Sequence, residues 1–143
     1  MTALEHRCGS LAGLIIDDRQ AARFKVNRHV FAEEDILALE RERIFSRCWL
    51  YLGHVSEVPA AGSFVARRVG GRPLILTRDR DGALNALYNT CPHRGALVCR
   101  ERAGNRRAFQ CGYHAWAFDE TGRFLGMPGR EALPPNAGDG GQF

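Results

Sequence analysis

Hydrophobic positions change their spacing near residue 48, and the change predicts a helix followed by short strands. Between Glu33 and Cys48 apolar residues recur at spacings of three, four and seven, the period of an amphipathic helix. Acidic residues fill its first turn and arginines its last, as the helix macrodipole favours. Beyond it, the apolar runs shorten to strand length between Gly and Pro turns. The predicted strands are Trp49–Gly53, Ser63–Val69, Pro73–Thr77, Ala83–Asn89, Arg107–Gln110, Trp116–Phe118 and Arg123–Met127.

These elements predict a mainly β chain in three segments. Residues 1–30 lack a sustained period and are predicted to form an N-terminal arm, with one short helical piece around Asp18 to Phe24. Residues 31–127 hold the helix and the strands, whose lengths suit an antiparallel sandwich or small barrel. Residues 128–143 are rich in Pro and Gly and are predicted to form a flexible tail or a linker stub.

Composition restricts the classes of function. The chain has 143 residues, of which 45% are hydrophobic and 25% charged, as in an ordinary soluble domain. Its apolar runs are far shorter than the ~20 residues of a membrane-spanning helix, so no membrane partner is expected. The net charge of +4 comes from scattered arginines, which is weak support for a nucleic-acid partner. The apolar segment near the N-terminus, Leu11–Ile16, is too short for a secretory signal. We therefore expect a cytoplasmic location.

Cysteine and histidine pairs carry the candidate chemistry. Five cysteines form an odd set, which in a reducing compartment favours metal binding over a disulfide framework. Cys91 and His93 stand on one loop, and Cys111 and His114 on another, each after a predicted strand. Thiolates and imidazoles suit an iron–sulfur cluster, zinc or copper and exclude magnesium and calcium. Two Cys and two His could also close a structural zinc site, although common zinc fingers pair like with like.

The two loops resemble those of a Rieske [2Fe–2S] centre, in which two histidines replace two cysteines on one iron. The chain as a whole resembles the N-terminal Rieske domain of the large (alpha) subunit of aromatic-ring-hydroxylating oxygenases, over roughly residues 30–128. The resemblance implies a Rieske-type antiparallel β sandwich with cluster-binding hairpin loops, preceded by an N-terminal helix. The residues that carry it are Glu40–Phe45, Trp49, Gly53, His54, Glu57–Pro59, Gly62, Arg78, Asp79, Asp81, Gly82, Asn89–Gly95, Cys111–Trp116 and Asp119–Gly122.

The resemblance implies that Cys91, His93, Cys111 and His114 bind a Rieske-type [2Fe–2S] cluster. Two departures stand in the second loop. Gly112 occupies a place that is usually proline, and it is expected to loosen the loop. Ala115 replaces a usual glycine and is expected to hold the backbone to ordinary φ and ψ values.

The same comparison bears on the reduction potential. Respiratory Rieske proteins carry an additional cysteine on each loop, joined as a disulfide, and Ala96 and Tyr113 stand at those places here. Trp116 stands where those proteins have a serine that hydrogen-bonds a cluster sulfur. With fewer hydrogen bonds to stabilise the reduced cluster, we predict a potential at the low end of the Rieske range.

Function follows from the resemblance. It implies that the chain takes electrons from a reductase or ferredoxin and passes them toward a mononuclear non-haem iron, where an aromatic ring is hydroxylated. That iron needs two histidines and a carboxylate on a C-terminal catalytic domain. The remaining histidines, His6, His29 and His54, all precede the Cys/His pairs, so we expect this iron and its domain to be absent and the chain alone to be an electron carrier with no catalytic residues. The other partner implied is an oxygenase catalytic domain or a neighbouring alpha subunit. The alternative is a stand-alone Rieske-type ferredoxin.

Two further groups have interpretations that the sequence leaves open. Cys99 is interpreted as a buried structural thiol rather than a fifth ligand, because the four ligand positions are already filled. A set of arginines could form a basic rim that attracts an acidic electron donor, or simply a solvated face. This set is Arg94, Arg100, Arg102, Arg106 and Arg107.

Overall fold

The computed structural model describes residues 13–132, which divide into an N-terminal unit ending at Trp49 and a C-terminal unit beginning at Leu50. The predictions for residues 1–12 and for 133–143 lie outside the described residues. Within residues 13–132, no helix has the length and apolar character needed to span a bilayer.

The N-terminal unit begins with a β-hairpin, so the helical piece predicted around Asp18 to Phe24 is wrong. Strands β1 (Ile15–Asp18) and β2 (Arg23–Val26) pair in antiparallel fashion. The β-branched isoleucines of β1 favour an extended backbone. The Asp18 carboxylate accepts a hydrogen bond from the Ala21 backbone N–H at 3.1 Å, and this local bond stabilises a turn at the expense of a helix.

The helix predicted between Glu33 and Cys48 is present but is not uniform. A 3₁₀ turn (Arg28–Phe31) precedes α1 (Glu34–Glu40), which continues as a π-helical turn (Arg41–Phe45). The Ser46 hydroxyl donates a hydrogen bond to a backbone carbonyl one turn earlier, where such bonding bends or ends a helix.

The C-terminal unit consists of two antiparallel sheets, which confirms the mainly β fold. The larger sheet has the strand order β5-β4-β3-β6 and the smaller one β7-β8-β9. Two 3₁₀ turns, Val55–Glu57 and Arg130–Ala132, lie outside the sheets. The strands are β3 (Ser63–Val69), β4 (Arg72–Arg78), β5 (Leu84–Tyr88), β6 (Ala103–Asn105), β7 (Ala108–Gln110), β8 (Ala117–Asp119) and β9 (Phe124–Gly126).

Six of the seven predicted strands are present, and besides the N-terminal hairpin one prediction and one omission need correction. The strand predicted over Trp49–Gly53 is wrong, because this segment has no strand partner and the Trp49 side chain is fully exposed. Strand β6 was not predicted, since its Ala-Gly-Asn sequence has low β propensity. It forms because Gly104 lets the Phe64 ring approach: a Cβ at this glycine would stand 2.9 Å from the ring.

The core of the C-terminal unit joins the two sheets through aromatic rings. Phe64 of β3 and Phe109 of β7 meet edge to face with centroids 5.3 Å apart, and both are almost fully buried. Phe118 of β8 and Ile75 of β4 are completely buried in the same cluster. Because Cys91 and Cys111 also belong to this cluster, the two Cys/His loops are anchored in the main core.

Two turns of similar construction close the hairpins β4–β5 and β8–β9. In each, an aspartate (Asp79 or Asp119) accepts hydrogen bonds from backbone N–H groups two and four residues later. The residues that follow these aspartates form an ion pair between the sheets, with Arg80 Nε 2.9 Å from Oε1 of the buried Glu120. Thr77 Oγ1 adds a hydrogen bond of 2.7 Å to the Glu120 carbonyl. These contacts fix one sheet against the other.

Candidate metal centre

The two Cys/His loops, residues 91–96 and 111–116, have the same backbone framework. In each, the N–H of the cysteine donates to the carbonyl of the residue five positions later, and the N–H of the residue four positions later donates back to the cysteine carbonyl. The second loop is the β7–β8 hairpin, whereas the first leaves β5 for β6 at the other edge of its sheet. The bonds are Cys91 N to Ala96 O (2.8 Å), Gly95 N to Cys91 O (2.8 Å), Cys111 N to Trp116 O (2.8 Å) and Ala115 N to Cys111 O (3.0 Å).

This framework needs a left-handed residue at the fifth position of each loop. Gly95 supplies it at φ +72° without steric cost. Ala115 has φ +55°, so the expectation that it holds the backbone to ordinary values is wrong. The closing hydrogen bonds impose the left-handed conformation, which costs an alanine about 1 kcal/mol relative to glycine.

The two thiols form the inner part of the site. Cys91 and Cys111 are each 2% exposed. Burial raises the pKa of the Cys91 thiol, and the neighbouring Cys111 thiol adds to the rise, while backbone N–H groups of His93 and Arg94 oppose it. Burial therefore disfavours a thiolate at Cys91 unless a cation lies beside it. The inner part of the site therefore fits a metal group bound through sulfur.

The two imidazoles form the outer part. His93 is half-buried and His114 is exposed, with ring centroids 4.7 Å apart and planes at 68°. Burial lowers the pKa of His93, and the adjacent His114 lowers it further, which favours the neutral imidazole that binds metals. Two buried thiols and two less buried imidazoles are the donors that a [2Fe–2S] centre with one Cys₂ iron and one His₂ iron requires.

The first loop is braced by a buried amide that the sequence analysis placed in the motif without a role. Asn89 Oδ1 accepts hydrogen bonds from the backbone N–H groups of Val98 (3.1 Å) and Cys99 (2.8 Å). Its Nδ2 donates to the Cys99 carbonyl at 2.7 Å. Asn89 thereby ties the start of the loop to the segment that leaves it. A polar residue directly after a strand was the available signal for this role.

The second loop is supported by aromatic packing. Trp116 stacks on the His93 ring of the first loop, with centroids 5.0 Å apart and planes 4° from parallel. Its other neighbour is Phe124 of β9, at 5.0 Å. The Tyr113 ring lies against His114 at 3.9 Å. Trp116 therefore connects the two loops and orients one of the imidazoles.

Cys99 is buried and lies among polar groups next to the first loop. Its Sγ is 3.4 Å from Glu101 Oε2, and burial raises the pKa of this thiol. Arg106 binds the Glu101 carboxylate at 2.9 Å, and this hydrogen bond lowers the pKa of Glu101 to about 2. The contacts agree with the interpretation of Cys99 as a structural thiol.

The other described histidines and Cys48 have surroundings of their own. His54 caps the 3₁₀ turn that follows it, and its Nδ1 lies 2.8 Å from Ser56 Oγ. His29 pairs with Glu33 in the N-terminal unit, where Cys48 is exposed. Over residues 13–132, no three His, Cys, Asp or Glu side chains converge in a way that could hold a single metal ion. His6 and Cys8 lie outside the described residues.

Comparison with known proteins gives a consistent result. A family model of the Rieske [2Fe–2S] domain matches residues 48–136. Among curated proteins, the N,N-dimethyl phenylurea N-demethylase subunit alpha of Sphingobium sp. (strain YBL2) is 46% identical over 105 residues, 73% of this chain and 23% of that protein. The biphenyl dioxygenase subunit alpha of Metapseudomonas furukawaii is 42% identical over 99 residues, 69% of this chain and 22% of that protein. The chain thus spans about a quarter of the length of these relatives.

Solved structures extend the comparison to the fold. Naphthalene 1,2-dioxygenase from Rhodococcus sp. bound to indole superposes with a TM-score of 0.68 at 35% identity, over 80% of this chain and 25% of that one. A quaternary ammonium Rieske monooxygenase superposes with a TM-score of 0.70 at 26% identity, over 80% of this chain and 31% of that one. The chain belongs to the Rieske [2Fe–2S] domain family and is homologous to the cluster-bearing domain of ring-hydroxylating dioxygenase alpha subunits.

Proposed function

We propose that Cys91, His93, Cys111 and His114 hold the [2Fe–2S] cluster of this electron-transfer domain. The observation that carries the proposal is the difference in burial between the donors. The two thiols are 2% exposed, whereas the two imidazoles lie nearer the surface. When bound, such a cluster supplies one-electron oxidation and reduction. The chain's residues give it buried sulfur ligands, exclude water from them, and leave an imidazole edge accessible for electron exchange.

Contacts within the protein hold this donor arrangement. Their matching hydrogen bonds set the direction of each cysteine, and Trp116 limits the rotation of His93. The Arg80–Glu120 pair and the Phe64–Phe109 contact hold the two sheets, and hence the two loops, at a constant separation. A fixed ligand set reduces the rearrangement that accompanies a change of oxidation state.

We further propose that the domain takes electrons from a reductase or ferredoxin and delivers them to a mononuclear iron of an oxygenase catalytic domain, on the same or a neighbouring alpha subunit. Relatives named for biphenyl and benzene oxidation make an aromatic ring the proposed target of the complete system. The 143 residues alone are proposed to carry electrons without hydroxylating a substrate. A stand-alone Rieske ferredoxin is the second candidate; the similarity to alpha subunits favours the first.

The primary test is an EPR spectrum of anaerobically purified protein reduced with dithionite, with iron and acid-labile sulfide analysis. We expect about two iron and two sulfide per chain, and a rhombic signal with the low average g of a mixed His/Cys cluster. A folded protein that contains zinc and no sulfide would contradict the proposal. A redox titration checks the predicted low potential.

A second experiment separates the two candidate functions. The purified chain is added to a ring-hydroxylating oxygenase whose own ferredoxin has been removed, and product formation is measured. An oxygenase domain should give no product, because its electrons have no route to a foreign catalytic iron. Restored turnover would favour the stand-alone carrier.

A further inference from the structure

The inner face of β3 continues beyond the aromatic core and ends in a charged side chain. Side chains alternate along a strand, so Phe64, Ala66 and Arg68 share one face of β3. Phe64 is buried in the core and Ala66 packs against it, which identifies this face as the inner one. Arg68 is the next residue in the same row and is exposed. A guanidinium group thus stands where the core opens to solvent.

A small hollow with an apolar lining lies at this opening. Pro73 of β4 is opposite Arg68 in the strand register, next to Ala66. Leu97, from the segment that leaves the first loop, is 46% exposed and also lines the hollow. The enclosed volume is about 220 Å³, which is smaller than the pockets that bind drug-sized molecules. The space therefore suits a molecule with a single ring.

Three guanidinium groups border this apolar lining, and we call the site the arginine hollow. Arg68 borders it from β3, and Arg100 and Arg102 border it from the segment after the first loop. Arg68 donates a hydrogen bond to the carbonyl of Gly71. No carboxylate among residues 13–132 pairs with any of these three arginines. Their charges are therefore available to a ligand.

The other charged residues of the arginine hollow are already paired. Arg67 forms an ion pair with Glu57. The Glu101 carboxylate is bound by Arg106 at 2.9 Å. These pairs add no net charge, so the excess at the hollow comes from the three unpaired arginines.

This combination of side chains matches the chemistry of an aromatic carboxylate. A guanidinium group binds a carboxylate through two parallel hydrogen bonds, and its plane also stacks on aromatic rings. Apolar side chains beside it give the ring a surface that is removed from water. An inorganic anion would leave the apolar lining without a contact, and an uncharged ring would leave the arginines unpaired.

We propose that the arginine hollow reversibly binds a single-ring aromatic carboxylate, of which benzoate is the simplest. The carboxylate pairs with Arg100 and Arg102, and the ring lies against Ala66, Pro73 and Leu97. No covalent bond forms or breaks. The inference goes beyond the proposed function, because none of the residues that line the hollow is a proposed cluster ligand.

The arginine hollow also adjoins the brace of the first loop. Asn89 and Cys99 are among its lining residues, and the Asn89 side chain binds both the backbone N–H and the carbonyl of Cys99. Arg100 directly follows this braced residue. A ligand that binds only the folded arrangement stabilises it. Occupation of the hollow therefore restrains the first loop.

The test is a fluorine NMR titration of the oxidised, cluster-containing chain with para-fluorobenzoate. We expect one saturable site per chain with a Kd on the order of millimolar, because so small a ligand gains little contact area. The affinity should fall severalfold between roughly 50 and 300 mM salt, since the charges are exposed. In competition, benzamide, which lacks the charge, and acetate, which lacks the ring, should each bind at least fivefold more weakly than benzoate.

Variants of the lining locate the site. R100Q/R102Q should weaken para-fluorobenzoate binding by tenfold or more. R41Q/R43Q makes the same change in net charge at two exposed arginines after α1 and should keep the affinity within about twofold. L97S should weaken para-fluorobenzoate about threefold and leave acetate binding unchanged, because it removes apolar contact only.

The rate at which a chelator removes iron from the cluster measures the restraint on the first loop. Saturating para-fluorobenzoate should slow this loss about twofold or more in the wild-type chain and in R41Q/R43Q, and not in R100Q/R102Q. An unchanged rate in the wild-type chain, with the ligand bound, would refute the coupling between the hollow and the loop.

Several outcomes would overturn the binding assignment itself. These are no saturable binding of para-fluorobenzoate up to about 50 mM, benzamide or inorganic phosphate binding as tightly as benzoate, and equal losses in R100Q/R102Q and R41Q/R43Q. A folded chain that binds para-fluorobenzoate but gives no EPR signal after reduction would refute the proposed function alone, so the two failures are distinct.

Discussion

The two Cys/His loops have one backbone design and two different kinds of support. Both close through the same pair of hydrogen bonds and both place a left-handed residue at the fifth position. The first loop is held by the polar side chain of Asn89, which makes three hydrogen bonds in a buried setting. The second is held by rings, chiefly Trp116 against His93 and Phe124.

This difference separates what the ligands require from what their surroundings supply. A short loop must follow a particular backbone path to direct both a cysteine and a histidine toward one site. Both loops follow this path. The support depends on the neighbouring elements. The segment that leaves the first loop has backbone N–H groups that Asn89 binds, whereas the second loop packs between the first loop and β9. We therefore expect the first loop to be sensitive to loss of hydrogen bonds and the second to changes of backbone conformation.

The largest expected effect is the difference between replacing Cys111 and replacing Cys99, two buried cysteines of equal exposure. C111A removes a proposed iron ligand, so we expect iron, sulfide and the EPR signal to be lost entirely. C99A removes a thiol that is also 2% exposed but contacts Glu101. It should retain the full cluster content and lose about 1–2 kcal/mol of stability. Iron analysis and denaturant unfolding measure the two results.

Retention of a full cluster by C111A would remove this cysteine from the ligand set. Loss of the cluster in C99A, with a folded chain, would instead give Cys99 a direct role. C48A alters an exposed cysteine and should change neither quantity.

The next effect concerns the brace of the first loop. N89A leaves two backbone N–H groups and one carbonyl without their partner, and Asn89 is only 4% exposed. We expect a loss of about 3 kcal/mol in the free energy of unfolding, because buried polar groups that lose their hydrogen bonds are costly. Chemical denaturation and the rate of cluster loss provide the measurement.

N105A is the matched control for this prediction. Asn105 is exposed and its amide donates one hydrogen bond, to the Ala61 carbonyl at 2.9 Å. Its replacement should cost about 1 kcal/mol or less. Similar losses in N89A and N105A would mean that the first loop does not depend on its buried brace.

Sequence patterns predicted the parts of the molecule that short-range rules determine. The six strands predicted from Ser63 onward have apolar residues bounded by turn residues, and the structure confirms them to within one residue at every end. The paired Cys and His residues indicated the cluster-bearing family because their types and spacing are rare together. These features need no knowledge of what packs against them.

Other features depend on contacts between distant residues. Strand β6 forms because Gly104 accommodates the Phe64 ring, a relation across about forty residues that no local propensity expresses. The pairing of Arg80 with Glu120 likewise joins two turns in different sheets. Ala115 shows a third limit, since its closing hydrogen bonds override the ordinary preference of an alanine.

A smaller effect tests the fifth position of each loop. A115G should stabilise the protein by about 1 kcal/mol, because glycine adopts the left-handed backbone without strain. G95A should destabilise it by about the same amount, since a Cβ there meets no atom within 4 Å and only the backbone angle is unfavourable. Denaturant midpoints of both variants, with the cluster bound, measure the pair.

G112A is the control for the general effect of replacing a loop glycine. Gly112 has no positive φ and a Cβ at this position also meets nothing within 4 Å. Alanine should therefore stabilise the second loop by about 0.5 kcal/mol, by restricting the unfolded chain. Equal signs for A115G and G95A would show that the two loops do not share a left-handed requirement.

The smallest effect is a pH dependence at the segment that leaves the first loop. The Arg106 guanidinium lowers the pKa of Glu101 to about 2, below the ordinary value of 4.5. A carboxyl whose pKa is depressed in the folded state stabilises that state fully above the unfolded pKa, and loses this contribution as the pH falls through the folded pKa. The stability difference between wild type and E101Q should therefore be largest above about pH 5 and shrink toward pH 2. Because the Glu101 side chain is 56% exposed, salt should also reduce this stability difference.

E42Q, which removes an exposed carboxylate from the helix, controls for the change in net charge. A stability difference between wild type and E101Q that is constant with pH would contradict the assignment.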